Sequence, residues 1–271
     1  MPIAICSTCG TSYPDTPQPP EHCAICEEER QYVPASGQSW IEPDALASGH
    51  ANCWRLLEPD LFSIHTQPGF AIGQRALLVR TPAGNVLWDC LTLLDEATKA
   101  LIKALGGLSA IAISHPHYYT CMQDWAQAFD CPIYLHAADQ EWVMRSDPHI
   151  RFWEGETHGL ADGLTLIRLG GHFPGGTVLH WPSGAHQGGA LLSGDIVGVA
   201  ADTARVSFLW SYPNMMPLSG NTVARIALTL ESWKFERIYG AFPGRETLQD
   251  GNQVVQRSAR RYIELLQNDQ A

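Results

Sequence analysis

Two absences set the first limits on this chain: it has no long uncharged apolar run, and it is poor in basic residues. No segment reaches the roughly 18 apolar residues a membrane helix needs. Met1 to Ile5 is a short apolar start ended by Cys6, not the apolar core of a signal peptide. A cytoplasmic protein that does not bind membranes is the expectation. Lys and Arg number 17 against 28 Asp and Glu, for a net charge of -11. That balance argues against nucleic acid as a partner and leaves small molecules as the expected substrates. No internal repeat and no low-complexity stretch is present. In a reducing compartment the eight cysteines read as thiols and metal ligands, not as disulfides.

What is present fits one large domain and a small appendage. The chain has 271 residues, 45% of them apolar, with nine Trp as large core anchors. The first 35 residues stand apart: they hold half the cysteines and six of the 18 prolines, with little periodicity. Such a stretch buries too little apolar surface to fold without a staple. The division expected is a metal-binding knuckle over 1–36 and a main domain over 37–271, with Gly37 and Pro43 at the hinge. From about residue 60 a hairpin is expected at 70–79 and 85–88, turning at Pro82-Ala83-Gly84. Helices are expected at 95–105, 122–129, 222–232 and 253–267. Strands are expected at 110–114, 133–136, 164–169, 177–181, 190–193 and 237–239. This mixture of strand pairs and strand–helix units indicates an α/β or α+β layered domain.

Cys6 and Cys9 form one C-x-x-C pair, and Cys23 and Cys26 a second. Each pair places two thiolates on one tight turn, and two such turns complete a tetrahedral all-sulfur site. Zinc is the default ion. Iron in a rubredoxin-like site has the same ligands and would make an electron-transfer module. His22 is expected at the surface, and Cys53, Cys90, Cys121 and Cys131 as small buried hydrophobes.

The strand ending at Ser114 runs into His115-Pro116-His117, where side chains project into a crevice. Two histidines at this spacing reach one metal from one side. A third lies in the loop Gly170-Gly171-His172-Phe173-Pro174-Gly175-Gly176-Thr177. The strand Leu191-Leu192-Ser193-Gly194 then delivers Asp195 at its end. This order of His-x-His, loop His and strand-end Asp resembles the metallo-β-lactamase superfamily over roughly 65–245.

The resemblance implies a metallo-β-lactamase-like αβ/βα sandwich. It implies that His115, His117 and His172 match the first metal site, and Asp195 the carboxylate that usually bridges two metals. The chain departs from the family's Asp-His at Tyr119 and Thr120, and from its last histidine at Tyr239-Gly240-Ala241-Phe242. Three second-site ligands are missing, so one ion, zinc or iron, is expected. Asp195 completes its shell or acts as general base. Tyr119 either donates to a developing oxyanion or lines the pocket.

The expected function is a mononuclear metallo-hydrolase of a small ester, thioester or lactone that uses a metal-activated water. The rivals are an iron-dependent oxygenase or redox enzyme, and a degenerate binding protein. A homodimer is allowed. His136 is expected to face solvent at its strand end. Asp139, Arg245 and Glu246 are candidates for the pocket border, with surface roles more frequent for such residues. Trp153, Trp210, Tyr212 and Phe242 are expected as wall and core. His50, His65, His149, His158, His180 and His186 belong to no constellation.

Overall fold

The structure, a computed structural model, describes residues 4–267, so the first three residues of the apolar start lie outside it. The chain divides into two compact units, Met1–Trp153 and Glu154–Ala271.

The first unit opens with the knuckle. β1 (Ile5–Cys6) is followed by a helical turn α1 (Ala24–Glu27) and β2 (Trp40–Ile41), and β1 pairs with β2. The knuckle's pairing therefore runs on to Ile41, past the hinge expected at Gly37. Pro43 comes two residues after β2. It opens helix α2 (Pro43–Gly49), where its missing N–H costs nothing.

A seven-stranded sheet follows, in chain order: β3 (Ala51–Glu58), β4 (Leu61–Gln67), β5 (Arg75–Val79), β6 (Val86–Trp88), β7 (Ala110–Ala112), β8 (Ile133–His136) and β9 (Ile150–Trp153). The first four strands are antiparallel and the last three pairings parallel. The three parallel pairings need crossovers, supplied by α3 (Glu96–Ala104), α4 (Met122–Phe129) and the 3₁₀ segment Ala137–Trp142. Strands β5 to β7 are buried at every position, as strands covered on both faces must be.

The second unit carries a six-stranded sheet. Its strands are β10 (Thr157–Gly159), β11 (Thr165–Arg168), β12 (Thr177–Trp181) and β13 (Ala190–Gly194), joined by two strands that come later in the chain. A short helical turn α5 (Gly184–Gln187) links β12 to β13, with Ala185 and His186 in left-handed conformation. Two small ribbons follow: β14 (Gly198–Val199) with β15 (Val206–Ser207), and β16 (Leu209–Ser211) with β17 (Met216–Pro217). Helix α6 (Gly220–Glu231) leads to β18 (Arg237–Gly240), which joins β13 in parallel. β19 (Glu246–Thr247) and the long helix α7 (Gly251–Gln267) end the unit. The core holds Leu191, Val197, Phe208, Val223, Ile226, Leu230 and Val254.

Candidate metal centre

The four knuckle thiols come together as the spacing requires. Cys6, Cys9, Cys23 and Cys26 are buried, and their sulfurs lie within 4.8 Å of one another. The Cys6–Cys26 and Cys9–Cys23 sulfur separations are 3.6 Å. Four sulfurs at about 2.3 Å from one zinc would sit about 3.8 Å apart along each tetrahedral edge, so the set fits such an ion. Polar neighbours complete the nest. Tyr13 Oη donates to Cys23 Sγ at 3.3 Å, and Gln38 Nε2 to Cys6 Sγ at 3.2 Å. Among the thiols, hydrogen bonding led by Cys23 pulls Cys6 far down from the ordinary range, while burial pushes Cys9 up.

His115 and His117 flank Pro116 beyond the end of β7. Pro116–Tyr118 forms a single 3₁₀ turn rather than an extended link, and both rings are buried with centroids 5.0 Å apart. The turn is anchored at its start. The Ser114 N–H donates to Asp89 Oδ1 at 2.8 Å, and Ser114 Oγ lies 3.0 Å from His115 Nδ1. Asp89 was not legible as a site residue. Its signal was its place at the end of β6, the strand parallel to the one that delivers His115.

Tyr119 follows the turn, 3% exposed. Burial, reinforced by the charge of Asp139, pushes its hydroxyl well above the usual phenol range. Tyr119 is therefore a neutral donor at any ordinary pH. Asp139 is only 1% exposed, not the surface residue expected. His136 also departs from expectation. It is buried, accepts from the Ala138 N–H through Nδ1 at 3.1 Å, and meets Trp153 edge-on at 4.5 Å. Its ring caps the 3₁₀ segment Ala137–Trp142 that follows β8.

In the second unit, His172 is buried in its glycine-rich loop. Its Nδ1 lies 2.7 Å from the Trp210 carbonyl oxygen. A carbonyl only accepts, so Nδ1 carries the proton and Nε2 holds the lone pair. Asp195 ends β13 and is buried, with its backbone oxygen accepting from Tyr212 Oη. Burial, then the Asp195 charge, raises the Tyr212 phenol well above its usual range. Gly198 is required here, because a Cβ at that position would fall on the Tyr212 hydroxyl. A cavity of about 240 Å³ opens beside Asp195, lined by Val199, Ala201, Tyr212, Phe242 and Arg245 among others. Arg245 and Phe242 thus border a cavity beside Asp195. Glu246 lies instead in β19, paired with Tyr239.

The remaining histidines stay outside the site. His149 pairs with Asp147 at 2.7 Å, and His180 bonds the Lys234 carbonyl at 2.8 Å. Cys90, Cys121 and Cys131 are buried as expected, and burial pushes Cys121 and Cys131 up to about 12. Cys53 is exposed, because β3 is the sheet's edge strand and its outer side chains face solvent.

The chain thus carries two donor sets of metal-binding composition, four thiols and the imidazoles of His115, His117 and His172. Residues 71–265 match the family described as the metallo-beta-lactamase superfamily. This chain belongs to that superfamily. A protein of Bacillus subtilis (strain 168), named "Uncharacterized protein YmaE", is 49% identical over 271 residues, 99% of this chain and 98% of its own. Among solved structures, the DIM-1 metallo-beta-lactamase matches with a TM-score of 0.59 at 15% identity, covering 78% of this chain and 96% of its own. A peroxy diiron species of the chemotaxis sensor ODP matches with a TM-score of 0.54 at 17% identity, covering 78% and 94%. Both solved structures share this chain's fold, at identities where fold is all the likeness conveys.

Proposed function

We propose that the chain is a mononuclear metal-dependent hydrolase of a small acyl substrate: an ester, thioester or lactone. His115, His117 and His172 hold one zinc or iron ion, with Asp195 completing the shell or accepting a proton. The observation that carries this reading is the tautomer of His172. Its Nδ1–H is committed to the Trp210 carbonyl, which orients the ring and leaves Nε2 as the basic, ligating nitrogen. A pair of buried imidazoles on one rigid turn supplies the other two donors.

One ion rather than two is supported by the residues that stand at the second-site positions. Tyr119, Thr120 and the segment Tyr239-Gly240-Ala241-Phe242 offer at most neutral phenols and a hydroxyl where the family has carboxylate and imidazole. The bound ion would supply Lewis acidity, lowering the pKa of water towards neutrality and polarising a carbonyl. Asp195, whose backbone oxygen accepts from Tyr212 Oη, would take the proton released. Tyr119, kept protonated by burial, donates to the oxygen on which charge develops. The 240 Å³ cavity beside Asp195 supports a small substrate. At about 30 Å³ per water it has room for roughly eight small groups.

The net charge of -11 supports a small-molecule substrate over nucleic acid or an anionic membrane. The eight thiols, none of them in a disulfide, support a reducing, cytoplasmic setting.

Elemental analysis of wild type and of a His115→Ala/His117→Ala double variant tests the centre. About two ions per chain, falling to about one in the variant, is the expected result. Iron at the lost position would favour the oxygenase or redox reading. A wild type that holds one ion, retained by the variant, would leave the chain a binding module.

A further inference from the structure

We propose that the four-cysteine knuckle is a clamp on the histidine turn, with Ser12 as its positioning residue. The inference rests on the reading above, in which His115 and His117 ligate a metal. It concerns what keeps them in place.

The turn that carries both histidines ends at Thr120, whose φ is +40°. A β-branched residue in the left-handed region is strained and persists only where its surroundings hold it. The holder is Ser12. Its backbone N–H and its hydroxyl both donate to the Thr120 carbonyl oxygen, at 3.0 and 2.9 Å. Ser12 and Thr120 are both buried, so neither bond competes with bulk water.

Ser12 is in turn set by the first C-x-x-C turn. The Cys6 N–H donates to the Thr11 oxygen at 3.0 Å, the Gly10 N–H to the Cys6 oxygen at 2.8 Å, and Ile5 bridges Ser12. Only Gly10 and Thr11 separate Cys9 from Ser12. A second contact seats the same loop. Thr92 Oγ1 donates to the Gly10 oxygen at 3.1 Å, and Gly10 at φ +80° leaves no room for a Cβ against that hydroxyl. Ile5 and Cys121 share one apolar cluster with Leu46 and Leu93.

Residues 115–119 therefore hang between two anchors. Asp89 fixes the start through the Ser114 N–H, and the knuckle fixes the end through Thr120. An ion in the knuckle fixes the thiolate turn and with it Ser12. Loss of that ion frees Ser12, and Thr120 relaxes out of the left-handed region. His117, three residues upstream, then loses its setting. Filling the knuckle raises the metal affinity of the histidine site, and filling the histidine site raises that of the knuckle by the same factor.

The test is a competition titration of zinc against a chromophoric chelator, on full-length wild type, Ser12→Ala and Cys23→Ser/Cys26→Ser. The histidine site of Ser12→Ala, which stays folded with its knuckle ligands intact, is expected to weaken by roughly three- to tenfold. The cysteine variant is expected to weaken further. Adding Thr120→Gly to Ser12→Ala recovers part of the loss, because glycine takes left-handed backbone without a clamp. Absence of recovery would remove the Thr120 link and overturn the clamp. Unchanged affinity in both first variants also overturns it, while the metal centre stands. If wild type binds neither zinc nor ferrous iron at the histidines, the proposed function fails, and hydrogen exchange across 115–122 decides the clamp alone. Faster exchange in Ser12→Ala supports it, and equal exchange overturns it.

Discussion

At the residue scale, the site depends on side chains whose protonation is set by burial. His172 is committed to one tautomer by a backbone carbonyl, and Tyr119 to its neutral form by desolvation and the Asp139 charge. A buried neutral phenol cannot act as a base, but it donates a hydrogen bond without first losing bulk water. Tyr119→Phe is expected to lower kcat on an activated ester by about ten- to a hundredfold, with metal content unchanged. Equal kcat in the variant would make Tyr119 a wall residue only. The sequence showed Tyr119 standing where the family has an acid, but not the raised pKa, which comes first from burial and then from Asp139 twenty residues away in the chain. His136 was read as facing solvent from its place at a strand end, and Asp139 as a residue more often found at the surface. A 3₁₀ turn at Ala137–Trp142 turns both inward.

At the element scale, most strands and helices follow from local pattern, and their ends from caps. Asp95 opens α3 by accepting the Thr98 N–H at 2.7 Å, and its other oxygen accepts the Asn52 N–H at 2.8 Å. The helix was legible in the sequence; its cap and the tie to β3 were not. The β3–β4 hairpin itself gave little signal. Its outer strand is half-exposed, with Trp54, Leu56 and Leu57 breaking any alternation.

The entry to β9 carries a titratable lock. Asp147 Oδ1 accepts the His149 N–H at 2.8 Å and lies 2.7 Å from His149 Nδ1. Hydrogen bonding to Asp147 raises the His149 pKa, so its contribution is present below the unfolded value and lost as pH rises through the folded one. Asp147 is lowered, held down by bonds from His149 and Gln127 against the penalty of burial. Its contribution is lost only as pH falls through its own folded value. Asp147→Asn is therefore expected to lower the thermal midpoint most at about pH 5 to 6 and less at about pH 8. A loss independent of pH across that range would remove the ion pair from the account.

At the scale of the whole molecule, the knuckle's sulfurs form the centre of their own apolar cluster, with Tyr13, Ile25, Trp40, Trp142 and Met144 around them. A cluster so small relies on its ion for stability. Stripping metal with a chelator is expected to lower the melting temperature by about 10 °C or more, with zinc restoring it. Calorimetry that shows the same midpoint with and without chelator would contradict this.

The sequence by itself determined what is local. Two C-x-x-C pairs, the His-x-His after a buried strand, the loop histidine and the strand-end aspartate are each specified within a few residues. Their order sufficed for the family. Tertiary structure alone decided how those pieces are held. Ser12 and Thr120 lie 108 residues apart, Asn52 and Asp95 43, Trp210 and His172 38, and Ser114 and Asp89 25. Hydrogen bonds between positions so far apart follow from where the chain returns in space, and leave no period, spacing or motif along the sequence.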